Sequence, residues 1–173
     1  MNFKKFMVIL TCLLVLVLLT VLLVPKESRE GIVTFYYARS EFVYGAPDGV
    51  IGSEERQVGG HETDLYYLLG LYLEGPLSEG LKSPLPDRNH VRILDINQIG
   101  DALHIKLSDL SATMTDSEFT LACACLTRTC LGLHNVQAVR IESGSRIVRM
   151  NPANLKFYDE STSVVLPGRE EIK

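Results

Sequence analysis

The sequence predicts an α+β fold: a mostly antiparallel β-sheet with two α-helices packed on one face, preceded by one N-terminal transmembrane helix. Three observations carry that prediction. Nineteen residues from Phe6 to Val24 contain no charge, and a helix of about 20 apolar residues spans a hydrocarbon core of about 30 Å. Beyond them, β-branched and aromatic runs and two segments of helical period follow in the order strand, strand, helix, strand, strand, helix, strand, strand. Glycine- and proline-rich punctuation separates these segments, and such an order reads as α+β.

The apolar run comes first. Lys4 and Lys5 precede it, and Pro25, Lys26, Glu27, Ser28, Arg29 and Glu30 follow as a mixed patch. Cationic flanks stay in the cytoplasm, so everything from about Pro25 onward is expected outside it, on a single-pass protein of the cell membrane. Signal peptidase selects small residues after a shorter apolar stretch, whereas Leu22, Leu23, Val24 and Pro25 are branched residues and a proline. That favours a retained anchor over a cleaved signal. Cys12 follows Leu10 and Thr11 and sits inside the run rather than ending it, as a lipidated cysteine would. The expected layout is therefore a cytoplasmic stub and signal-anchor over residues 1–25, a linker over 26–31, a folded domain over 32–159 and a flexible tail over 160–173.

The domain opens with Ile32, Val33, Thr34, Phe35, Tyr36 and Tyr37, the composition of a strand. A loop through Gly45, Ala46, Pro47, Asp48 and Gly49 leads to Val50 to Val58, a polar-rich edge strand ending at Gly59 and Gly60. Thr63 or Asp64 can cap a helix, since each offers a side-chain oxygen to unpaired first-turn amides. Leu65, Leu68, Leu69 and Tyr72 then recur at helical spacing until Gly75 and Pro76 stop it. Residues 74–87 hold three prolines and two glycines, so no regular element is expected there. Val91 to Ile99 and Ala102 to Leu107 flank Gly100 and Asp101 as a hairpin with a two-residue turn. Its second strand alternates cleanly, with Leu103, Ile105 and Leu107 on one face; its first does not, which leaves the register open. Thr115 and Glu118 form a capping box for a helix whose inward stripe is Phe119, Ala122, Cys123, Leu126 and Cys130. Gly132 ends it, and strands Ala138 to Glu142 and Arg146 to Met150 follow around Ser143, Gly144 and Ser145.

Composition narrows the function classes. The chain has 173 residues with 17 basic and 21 acidic side chains. Setting Lys4 and Lys5 aside leaves a larger acidic surplus in the external part, about 148 residues, the size of one domain. No block of Lys and Arg appears, so a nucleic-acid ligand is not expected. Cys123, Cys125 and Cys130 fall within eight residues on one helix. An odd, clustered set does not make a disulfide framework, and one straight helix cannot bring three such thiolates within about 2.3 Å of one zinc ion. They are expected to pack in the core as small hydrophobes, with Cys125 pointing away from the line joining the other two.

His61, His90, His104 and His134 share no ligand spacing, and no serine lies in a nucleophile-elbow context. The glycines mark isolated turns, with no phosphate loop or dinucleotide fingerprint. No catalytic, cofactor-binding or metal-ligating residue is assigned, and no cofactor is expected. Tyr36, Tyr37, Phe42 and Tyr44 are the candidates for an aromatic platform that would take cell-wall glycan or a small ligand.

Several segments together resemble one family, the GerM domain of sporulation and spore germination. They are Thr34, Phe35, Tyr36, Tyr37; Glu55, Arg56, Gln57, Val58; Leu73, Glu74, Gly75, Pro76; and the connector Glu79, Gly80, Leu81, Lys82, Ser83, Pro84, Leu85, Pro86. The hairpin closing with Ser108, Asp109, Leu110, Ser111, the helix from Glu118 to Leu131, and Val136 to Ile141 extend the likeness over nearly the whole external part. The resemblance implies a compact fold like the ring-building modules of secretion systems and of the channel between mother cell and forespore. It implies a non-enzymatic, membrane-anchored scaffold placed in the space between the forespore membranes. Its partners would be other membrane-anchored sporulation proteins or further copies of itself. No catalytic residue comes with the family. Some members carry two such domains in tandem, and this chain carries one.

Overall fold

The computed structural model describes residues 31–41, 49–87, 89–133 and 135–159. The apolar run at residues 6–24, the tail at 160–173, the loop from Gly45 to Asp48, and Phe42, Tyr44 and His134 lie outside the described residues. No helix among the described residues is long and apolar enough to cross a membrane.

The architecture is α+β and its strand pairing is mostly antiparallel, as expected, but the single sheet expected is corrected to two. The strands form two sheets, and one of them is mixed. In the first sheet β1 (Ile32–Arg39) is central, with β2 (Ile51–Gln57) antiparallel on one side and β3 (Leu81–Lys82) antiparallel on the other. The two-residue β3 corrects the expectation of no regular element in the connector. Its prolines and glycines allow only a brief pairing, of Lys82 with Ala38 and Leu81 with Arg39. In the second sheet β4 (Ile93–Ile99), β5 (Ala102–Leu107), β6 (Ala138–Ser143) and β7 (Arg146–Met150) lie in sequence order.

Within that second sheet β5 and β6 run parallel, from Ala102 opposite Ala138 to Leu107 opposite Ser143. A helix between two neighbouring strands carries the chain back to the starting end, so the crossover imposes parallel pairing. Between Ile93 and Asp95 the register of β4 on β5 shifts. A bulge of this kind inserts one unpaired residue, which is why Ile93 and Leu94 break the alternation.

Helix α1 (Leu65–Leu73) is capped by Asp64, whose Oδ1 accepts from the Tyr67 N–H at 3.0 Å. It buries Leu68, Leu69 and Tyr72, and the Tyr72 ring stacks on Tyr37 at 4.8 Å between centroids. Gly75, at φ +86°, supplies the left-handed residue that turns the chain out of the helix. Helix α2 (Asp116–Leu131) begins with the expected capping box: the Thr115 side chain accepts from the Glu118 N–H, and Glu118 accepts from the Thr115 N–H at 2.8 Å.

α2 is buried on nearly all sides rather than along one stripe, so Cys125, which points away from the other two cysteines, is in the core as they are. Leu121, Ala124, Cys125, Thr127 and Thr129 are covered as well as the expected residues. The helix lies between β1 of the first sheet and β6 and β7 of the second, so beyond its exposed first turn, Asp116 to Glu118, it is covered on nearly every side. A third helix not anticipated from the sequence, α3 (Pro152–Asp159), packs on α2 and β7 and buries Leu155. Its start follows a recognisable rule: Asn151 Oδ1 accepts from the Ala153 N–H at 3.0 Å, and Pro152 stands where a missing N–H costs nothing.

Candidate interaction surface

The segments that carry the family likeness meet in space, and what they build is a set of backbone clasps. Alternation along β2 turns Val50, Gly52, Glu54, Arg56 and Val58 to one side. Val50 and Val58 are buried there, and so are Glu54 and Arg56. Arg56 Nε donates to Glu54 Oε1 at 2.7 Å. Its Nη1 donates to the Leu71 carbonyl at 3.2 Å and its Nη2 to the Gly75 carbonyl, which satisfies carbonyls at the end of α1. Glu54 in turn accepts from the N–H groups of Leu77 (3.0 Å) and Ser78 (2.8 Å). The guanidinium also lies 5.3 Å from the Phe35 ring centre and 5.7 Å from that of Tyr37.

Burial by itself pushes the Glu54 carboxyl up, but hydrogen bonds from Leu77, Ser78 and Arg56 outweigh it and hold the group below the ordinary glutamate range. One ion pair thus ties an edge strand to the Gly75-Pro76 turn. The signal for it was legible, since two charges two residues apart share a strand face with flanking valines.

Two smaller clasps follow the same logic. Ser143 Oγ accepts from the Leu110 N–H at 2.9 Å and donates to the Ser108 carbonyl at 2.8 Å, sewing the Ser108 to Ser111 loop to the β6–β7 turn. Thr129 Oγ1 on α2 accepts from the Tyr36 N–H at 2.9 Å, so the helix covers part of the β1 edge that the short β3 leaves unpaired.

The residues singled out for chemistry do not converge. Cys123, Cys125 and Cys130 are free and buried, and desolvation pushes each thiol up to about 12. Such thiols stay protonated and unreactive at neutral pH. His61 stacks on Tyr67 at the surface, His90 meets Asp87 at 2.9 Å, and His104 is half-buried on β5. Among the described residues no three His, Cys, Asp or Glu side chains are grouped as a metal site. Tyr37 is fully buried, and Arg128 lies 4.8 Å over the Tyr36 ring, so neither presents a free platform.

Two concave features adjoin one another at the start of α2. The connector residues Lys82 to Pro86 face Thr113, Met114, Glu118 and Leu121 across a groove of about 510 Å³. A second depression of about 740 Å³ continues it past Thr115 to Arg146. Apolar side chains, hydroxyls, Lys82, Arg146 and the carboxylates of Asp116 and Glu118 line them, and Glu118 is committed to its cap. Two further open features are the outer face of the second sheet, with Ile99 and Ile147 more than half exposed, and its β4 edge, where Leu94 is exposed and Tyr66 of α1 comes alongside. There the Tyr66 hydroxyl accepts from the Ile96 N–H at 3.3 Å.

No family model and no curated protein matches the chain. Among solved structures it is similar to a candidate lipoprotein from Clostridium perfringens, at 17% identity and a TM-score of 0.44, over 71% of this chain and 88% of that one. It is also similar to the tandem GerMN domains of the sporulation protein GerM from Bacillus subtilis, at 13% identity and a TM-score of 0.47. That second match covers 66% of this chain and 39% of the other.

Proposed function

We propose that this protein is a non-enzymatic, membrane-anchored, extracytoplasmic scaffold of the GerM type, acting in an assembly at the membranes of the sporulating cell. One observation carries the reading: side chains in and beside the family-like segments are engaged with backbone. Glu54 and Arg56 hold the Gly75-Pro76 turn and Ser143 holds the Ser108 to Ser111 loop. Residues used in this way specify a shape, and a shape with an open sheet face and edge suits contact with other macromolecules. The uncharged run from Phe6 to Val24, with Lys4 and Lys5 before it, supports the anchor and its orientation. Partners on this reading are other anchored proteins of the same compartment or further copies of the chain.

A fluorescent fusion followed through a sporulation cycle tests the role. Enrichment at the engulfing septum is expected, and uniform labelling of the vegetative membrane would refute it. Protease shaving of intact protoplasts tests the placement: the domain should be digested, and survival behind the membrane would reverse the orientation. Retention of the purified chain on peptidoglycan, where this reading expects none, would move the assignment to a wall-binding module.

A further inference from the structure

The second sheet has two faces of opposite character. Leu103, Ile105, Val139 and Ile141 point inward and are fully buried, so their alternating neighbours form the other face, where every residue is half-buried or exposed. Register aligns Asn97, His104, Arg140 and Arg149 in one row across all four strands. That row holds no carboxylate. In the next row Lys106 stands between Asp95 and Glu142, and Glu142 pairs with Arg140 at 2.5 Å, which leaves Arg149 as the cation with no carboxylate beside it in its row. On a chain of net charge −4, this face carries more cations than carboxylates. Ile99 and Ile147 stand on it at diagonally opposite corners, 59% and 58% exposed.

We propose that this face docks on the headgroups of an anionic phospholipid bilayer. A guanidinium matches phosphate in a bidentate fork, which Arg149 can offer directly and Arg140 while still held by Glu142; strands about 4.8 Å apart place the two side by side. Exposed aliphatic side chains beside cations are the pairing that holds a surface at the lipid–water boundary. A protein partner fits less well. The centres of protein interfaces are depleted of charge, whereas the centre of this face is Lys106, Arg140 and Glu142, which a hydrated headgroup layer can accommodate.

The proposal rests on the anchor reading above, which also supplies its geometry. Seven residues lie between Val24 and Ile32, and the eight steps from one to the other reach at most about 26–29 Å. A tether that short makes even weak docking effective by raising the local concentration.

The chain contains no tryptophan, so Ile147→Trp would be a unique reporter at an exposed position, with Ile99→Trp as a second. Each full-length variant is reconstituted in vesicles of phosphatidylcholine, and of phosphatidylcholine with equal phosphatidylglycerol, carrying a nitroxide quencher just below the headgroups. In the anionic vesicles the emission should shift blue and lose more than half its intensity; in the neutral ones it should do neither. Leu77→Trp, 81% exposed on the connector, should stay unquenched in both. Adding Arg140→Gln with Arg149→Gln, or raising salt until the Debye length is about 3 Å, should return the reporters to the neutral-vesicle level. An inserted chain whose reporters are unquenched in anionic vesicles, or quenched no more than Leu77→Trp, overturns the docking alone. A blue shift without quenching, accompanied by cross-links between copies, assigns the face to self-association and overturns it too. A chain released from the vesicles by alkaline extraction overturns the anchor, and the docking with it.

Discussion

Arg56 shows how much a single side chain can organise. Removing one partner of a buried, hydrogen-bonded pair leaves an uncompensated charge at a cost of about 3–5 kcal/mol. Arg56→Met should therefore destabilise the domain by about that amount, read as a lower urea midpoint with an unchanged slope, and pairing it with Glu54→Gln should recover part of the loss. The sign of the pH effect follows from the depressed Glu54 carboxyl. Its contribution is present above the ordinary glutamate value of about 4.3 and is lost as pH falls from there through the lower folded value. The stability gap between the wild type and Glu54→Gln should accordingly close on acidification. The cysteines give a second test. With each thiol pushed up to about 12 by burial, Cys123, Cys125 and Cys130 should resist an aromatic disulfide reagent at pH 8 in the native protein and react together in urea. Fast native labelling would contradict their core placement.

At the scale of elements, α2 is held to β1 by one bond that the helix propensity of its residues does not reveal. Thr129→Val keeps the shape but removes the acceptor of the Tyr36 N–H. An orphaned donor costs about 1–3 kcal/mol, and hydrogen exchange at Tyr36 should accelerate more than at Phe35, whose ladder on β2 is intact. Local patterns located β1, β2, α1, the β4–β5 hairpin, α2, β6 and β7, because each has its own period or cap. What they missed is non-local. β3 is two residues long and exists only because Ala38 and Arg39 offer a partner. The parallel pairing of β5 with β6 depends on where α2 returns the chain. The burial of Thr127 depends on a second sheet that no helical wheel contains. α3 alone was signalled locally, by Asn151 and Pro152, and passed over. Of the interaction surface, the alternation of β5 was readable in advance; the row joining His104 to Arg140 and Arg149 required the register.

For the molecule as a whole, two sheets share one helix and hence one core, in which Tyr37, Tyr72, Phe119, Leu103 and Ile141 are all fully buried. Small domains with one continuous core unfold in a single step. Far-ultraviolet circular dichroism and tyrosine fluorescence should therefore report coincident urea transitions, and two separated transitions would mean that the sheets are independent units. The shared helix also has a consequence on the anchored reading proposed above. A domain that follows its anchor across a membrane would deliver β1, β2 and β3 before the segment that completes their cover, and part of their apolar surface would stay wet until Asp116 to Leu131 arrives. Any product cut short ahead of that stretch would reach the outside as an unfinished half, open to proteases and to sticking, so quality control at this compartment's border would be decided by whether the sixteenth residue of a single helix has come through.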